Sequence, residues 1–220
     1  METEELIERY PKLYHMATAG SWQLIKASGL WTTEQIVATS GLDALEADRM
    51  LSQKREHSVA LAHPLLGEIT VRDQKPLRMS FLEASLVDVT PAEWLATLNN
   101  RVFFWLHMDR LTRLLNARHY RTMEQDVLTI DTRSLVEAHG ERVRLSPMNS
   151  GATLFPNPPM RGSNTFSTIG NYPYEERRKG RVPSDAVVEL AVVNGVHDLA
   201  DHVTSVHRWR GATQLYELEL

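Results

Sequence analysis

The chain has 220 residues, 42% of them hydrophobic and 24% charged, with a formal net charge of −4 and no cysteine. That length and balance fit one large domain able to bury a core without covalent staples, while the missing thiols exclude disulfides, thiolate metal sites, iron–sulfur clusters and cysteine nucleophiles. A slightly acidic chain also argues against a generally basic nucleic-acid binder. The acidic opening Met1-Glu2-Thr3-Glu4-Glu5 does not read as a signal peptide. No run approaches the roughly 18 apolar residues of a spanning helix, so a soluble, cytoplasmic single domain over 1–220 with no membrane partner is expected.

Leu6 to Leu13 is short and mixed, and Tyr14-His15-Met16 reads as a brief strand. Trp22, Ile25 and Leu30 then recur at helical spacing, with Gly29 as the stop. Thr32-Thr33-Glu34-Gln35 forms a capping box ahead of a helix ending near Gly41, and Leu42 to Ser52 predicts another. Lys54 to Leu77 lacks periodicity and reads as a long loop with an extended piece at Glu68–Val71. Phe81 to Val87 is expected to be helical. Thr90-Pro91-Ala92-Glu93 is a second capping box with proline at the first helical position.

Arg101-Val102-Phe103-Phe104-Trp105-Leu106 is aromatic and uninterrupted, the pattern of a central strand. Asp109 to Asn116 returns to helical spacing, Asp126 to Ile130 predicts a second central strand, Asp131 caps Thr132 to Ala138, and Arg142 to Leu145 predicts a third strand. Most of the ten prolines then fall in Ser146–Ser184, a long irregular segment of the kind that is functional or disordered. Ala186 to Val193 is the clearest strand of the chain, and His202 to Trp209 follows as another. Helices crowd the first half and strands the second, which predicts an α+β fold.

The chemistry-bearing motifs are few. There is no phosphate-binding glycine loop, no His-Glu-x-x-His and no Gly-x-Ser-x-Gly. Among nine histidines, His57 with His63 and His197 with His202 lack metal-ligand spacing, so no metal site is expected. Three positions stand out. Glu189 is a carboxylate inside an apolar strand, where a charge must be paired, protonated or turned to a cleft. Tyr14-His15 lies between apolar Leu13 and Met16, and Val71-Arg72-Asp73 offers a guanidinium able to grip a phosphate, as does Arg101 at the mouth of its strand. Taken singly, a solvent-facing or ion-paired glutamate, a packing histidine and solvated arginines are the better account of each.

Taken together and in this order, Leu13-Tyr14-His15-Met16, Ile25, Ser28-Gly29-Leu30, the Arg72 loop ahead of Val102-Phe103-Phe104-Trp105, and Val188-Glu189-Leu190-Ala191-Val192 resemble the DarT-like DNA ADP-ribosyltransferases. The segments Arg101–Asn116, Val127–Leu145 and Arg161–Phe166 look closer still to uncharacterised bacterial domains beside that family. The sequence departs from the pattern in Met16, in Gln74-Lys75-Pro76, and in an aromatic strand without proline.

The resemblance implies an ADP-ribosyltransferase-like split mixed sheet, NAD⁺ as co-substrate held without a Rossmann fold, and an oxocarbenium-like transition state. It implies that Glu189 stabilises the developing charge, that His15, Tyr14, Arg72 and Arg101 bind NAD⁺, and that Arg72 also steadies the transition state. For the acceptor, Arg161, Arg177, Arg178 and Arg181, interleaved with Tyr172 and Tyr174, suit a nucleic acid, DNA or RNA. A toxin or phage-defence role with an antitoxin or hydrolase partner goes with this reading. The rivals are a non-catalytic NAD- or ADP-ribose-binding module, an RNA 2′-phosphotransferase and a plain interaction protein.

Overall fold

A computed structural model describes residues 1–220. In chain order the elements are α1 (Thr3–Arg9), β1 (Lys12–Thr18), α2 (Trp22–Ser28), α3 (Thr33–Thr39), α4 (Ala44–Ser52), β2 (Val59–His63), β3 (Gly67–Val71), α5 (Met79–Ser85) and α6 (Pro91–Asn99). The second half holds β4 (Arg101–Trp105), α7 (Met108–Leu115), β5 (Glu124–Asp131), α8 (Thr132–His139), β6 (Val143–Ser146), the short α9 (Tyr174–Arg178), β7 (Glu189–Val193), β8 (Val203–Arg210) and β9 (Thr213–Leu218). The fold is α+β. No helix is long and apolar enough to cross a membrane.

Local chemistry accounts for most helix starts. Thr32 and Thr90 each accept the N3 amide while Gln35 and Glu93 reach back to the cap backbone. Asp131 accepts from the Ser134 amide at 2.8 Å and opens α8. Gly29 ends α2 at φ +75, and a Cβ there would come within 2.3 Å of the His197 backbone. Only glycine lets Leu30 reach its bridge to Val196.

Seven strands form one sheet in the order β6-β7-β4-β1-β5-β8-β9, and β2-β3 is a separate hairpin. Every strand pairing in the sheet is antiparallel. The mixed sheet expected from the sequence is therefore corrected: no pair of neighbours shares a direction. The hairpin also corrects the reading of Lys54–Leu77 as a loop, since Val59–His63 pairs with Gly67–Val71 across a turn carrying Gly67 at positive φ. β9 and α1 likewise stand where no element was predicted.

The sheet is split. β1 pairs with β5 over Lys12–Thr18, but it meets β4 only at Tyr14 and Trp105. One face of the sheet covers the main core, where Leu13, Phe104, Leu128, Leu145, Leu190 and Val192 pack under α1, α2 and α8. On the other face the cover is divided: Leu82, Trp94 and Leu95 pack with Phe103, while Leu111 and Leu115 pack with Tyr14, Met16 and Trp105. Between these two clusters, over the β1–β4 split, a cleft remains.

Candidate functional site

The cleft has two adjoining chambers, of about 550 Å³ and about 340 Å³, and His15, Arg55, Arg72 and Arg101 line both. The larger is walled by Gly29, Leu30, Trp31 and the β2–β3 hairpin, and the smaller is closed by Trp105, Tyr120, Ser150 and Glu189. Chambers of this size fall within the range of small-molecule sites. His15, Arg72 and Glu189, far apart in the chain, thus face one space.

Glu189 opens β7, opposite Trp105 on one side and Ser146 on the other. Strand alternation turns Leu190 and Val192 into the main core and leaves Glu189 on the cleft side. Its residue is 5% exposed. Oε2 accepts from the Ser150 amide at 3.0 Å and the Ser150 hydroxyl at 2.7 Å. Oε1 accepts no bond and is not sealed from the cleft. Burial pushes this carboxyl up to about 7, against the pull of Ser150, Arg161 and Arg110.

His15 sits in the split itself. Its Nδ1 lies 2.9 Å from the Phe103 carbonyl oxygen. A carbonyl only accepts, so Nδ1 carries the proton and Nε2 offers a lone pair. Burial lowers the ring's pKa, a direction the Phe103 bond opposes and the Arg72 charge reinforces, which keeps the imidazole neutral. The bond replaces the strand ladder that β1 and β4 do not continue beyond Tyr14–Trp105.

Arg72 follows β3, with its guanidinium 4.9 Å from the centre of the Tyr120 ring, and it pairs with no carboxylate. Arg101 is more constrained: it lies over Phe166 at 4.8 Å, donates to the Thr97 carbonyl, and leaves Nε without a partner. Burial lowers its pKa, and Arg144 adds to that. Arg55, which sequence reasoning missed, donates to the carbonyls of Met50 and Arg72 and to Asn99. Burial pushes it down to about 10. Three arginines and three carboxylates (Glu68, Asp73 and Glu189) line the two chambers. Asp73 is paired with Lys75, however, and neither Arg72 nor Arg101 has a carboxylate partner to compete with an incoming anion.

Five predicted residues lie elsewhere or do something else. Tyr14 shares the row of Trp105 and Glu189, but its ring packs beneath α7 with Leu111, Leu115 and Val127 and lines neither chamber. Arg161 is 2% exposed rather than substrate-facing. It donates to the carbonyls of Ser150, Ala152 and Pro159 and lies over Trp94, so it braces the loop that holds Glu189. Arg177 and Arg178 sit on α9 and Arg181 just after it, and none of the three lines the cleft. The aromatics beside them, Tyr172 and Tyr174, belong to the main core and cannot stack on bases.

Ser150, Tyr120 and Arg55 are the site residues without a sequence signal. Ser150 belongs to the proline-rich segment and meets Glu189 only through the fold.

No curated protein and no solved structure matches the chain. Residues 11–203 match a family of unknown function (DUF7002), and the chain belongs to that family.

Proposed function

We propose that the protein is an NAD⁺-dependent ADP-ribosyltransferase that modifies a macromolecular acceptor, a nucleic acid before others. The observation that carries this reading is the meeting of His15, Arg72 and the open Oε1 of Glu189 in one cleft over a split sheet. The chambers and donors fit the co-substrate: an arginine-lined, partly aromatic space for a pyrophosphate, and a carboxylate for a ribose. Bound NAD⁺ would supply a nicotinamide–ribose bond whose cleavage leaves positive charge on the sugar.

The chain's own groups divide the work. Arg72, free of any carboxylate, grips phosphate oxygens, and Arg101 and Arg55 add charge behind it. His15 Nε2 accepts a hydrogen bond from a sugar hydroxyl and fixes its position. Glu189 presents a preorganised negative charge through Oε1, held in place because Ser150 occupies Oε2. The same oxygen can take a proton from an acceptor nitrogen or oxygen, a role suited to a carboxyl poised near 7.

The test is incubation with adenine-labelled NAD⁺ and separate pools of protein, DNA and RNA. Label in a nucleic-acid pool is the expected result. Binding of NAD⁺ without turnover would make this a non-catalytic module, and no NAD⁺ binding at all would end the proposal.

A further inference from the structure

Outside the cleft, one cluster of metal-ligating side chains is assembled from two distant parts of the chain. His139 ends α8, and Asp198 and His202 bracket the turn Leu199–His202 that leads into β8. Their ligand atoms all lie within 4.8 Å of one another. His139 Nε2 is 2.8 Å from Asp198 Oδ1, and His202 Nε2 is 3.6 Å from Asp198 Oδ2. A tetrahedral ion with ligands at about 2.0–2.1 Å needs donor atoms about 3.3 Å apart. The two contacts end on different oxygens of Asp198, so small rotations of the carboxylate and the rings must bring the three donors to that spacing.

The second observation is His202 itself. The residue is 6% exposed and its Nε2 is buried with no hydrogen-bond partner. An unpartnered ring nitrogen inside a protein costs free energy unless something else takes its lone pair. Its Nδ1 lies 2.6 Å from the Ser134 hydroxyl, so the ring can place its proton there and aim the Nε2 lone pair into the cluster. Asp198, with 45% of its side chain exposed, opens the cluster to solvent.

We propose that His139, Asp198 and His202 form a binding site for a zinc-type divalent ion, with two imidazoles, one carboxylate and a fourth position open to water. Two nitrogen donors select zinc and its late transition-metal neighbours over calcium or magnesium, which prefer oxygen. The ion would tie the end of α8 to the start of β8. Neither the cleft nor the proposed transfer depends on it.

One group opposes the ion. Arg142 lies 2.7 Å from His139 Nδ1 and donates to it, which puts the ring proton on Nε2, the nitrogen the metal needs. The same guanidinium also holds the carbonyls of Val193 at 2.8 Å and Gly195 at 2.7 Å, so it stays anchored when the His139 contact is given up. Loading moves the His139 proton from Nε2 to Nδ1 through solvent and breaks that one contact. Glutamine at position 142 could accept from Nδ1–H, the usual support for a metal-bound histidine.

The experiment titrates Zn²⁺ into untagged, chelator-stripped protein against a chromophoric chelator, with Co²⁺ absorption as the coordination readout. One equivalent should bind, with tetrahedral cobalt bands and a raised melting temperature. Asp198→Asn and His202→Ala should each weaken binding at least tenfold, and Arg142→Gln should strengthen it about tenfold. Far-ultraviolet circular dichroism keeps an unfolded variant from counting as a lost ligand, and Asp198→Asn, at an exposed position, is the variant least exposed to that problem. No uptake by the folded wild-type protein, or uptake undiminished in folded His202→Ala and Asp198→Asn, would overturn the site.

Discussion

Asp126 on β5 and Glu189 on β7 are both buried carboxylates of the same sheet, yet their surroundings give them different work. Asp126 is fully engaged: Oδ2 accepts from the amides of Gly20 and Trp22, and Oδ1 accepts from Arg208 Nε at 2.8 Å. It ties the entry of α2 to the β5–β8 seam, where Glu124 also pairs with Arg208 and Arg210. Glu189 has two donors from one serine on one oxygen and none on the other. A buried charge with both oxygens hydrogen-bonded is structure, whereas one with an open oxygen facing a cleft is available to a ligand.

Substitution separates the two most sharply. Glu189→Gln keeps the side chain's size but removes the charge, and ADP-ribose transfer should fall by about 10² to 10³ with NAD⁺ binding little changed. Asp126→Asn should do the reverse. It leaves the Arg208 cation without its buried partner, and unfolding in denaturant should show a loss of about 3 kcal/mol, while activity per folded molecule stays at the wild-type level. Loss of activity in folded Asp126→Asn would break the contrast.

The pH dependence sharpens it. Glu189 has a folded pKa of about 7, raised above its unfolded value, so the native state holds the proton more tightly. Between those values the folded protein binds more protons than the unfolded chain, and stability falls as pH rises, by up to about 3 kcal/mol. Above pH 7 the cost is complete, and below the unfolded pKa it vanishes. Transfer should rise over the same interval as the carboxylate ionises. In Glu189→Gln, melting temperatures measured from pH 4.5 to 8 should lose this slope.

The smallest effect belongs to the α9 arginines. Replacing Arg177, Arg178 and Arg181 together with Ala should leave NAD⁺ binding unchanged, since none lines the cleft. Where they touch a nucleic-acid acceptor, the slope of log affinity against log salt should flatten by about 2 to 3. An unchanged slope would return them to solvated surface.

The elements read most directly from the sequence are those with a local cause. The capping boxes at Thr32 and Thr90 and the cap at Asp131 form as their side-chain chemistry dictates, and the apolar runs around Phe104, Leu128 and Leu190 are interior strands of the sheet. What escaped has a non-local cause. β9 is exposed along nearly its whole length, so no buried alternation marks it. β2 buries only Leu61 and His63, with alanines, Ala60 and Ala62, flanking Leu61 and no long apolar run. Glu189 was conspicuous because a charge interrupts an apolar strand, and His15 and Arg72 because of their order along the chain. Ser150 and Arg55 carry no such mark, since only the tertiary fold gives them partners. Arg161 misled for the opposite reason: an arginine among prolines reads as surface, yet three carbonyls and a Trp94 ring make burial tolerable.

The most direct measurement of the central claim is nicotinamide release from NAD⁺ by wild-type protein and by Glu189→Gln, with NAD⁺ binding measured calorimetrically on the same samples. Both proteins should bind NAD⁺, and only the wild type should release nicotinamide at an appreciable rate. Equal release by the two would show that Glu189 is not the catalytic carboxylate, and a wild-type protein that binds no NAD⁺ would show that the cleft serves another ligand.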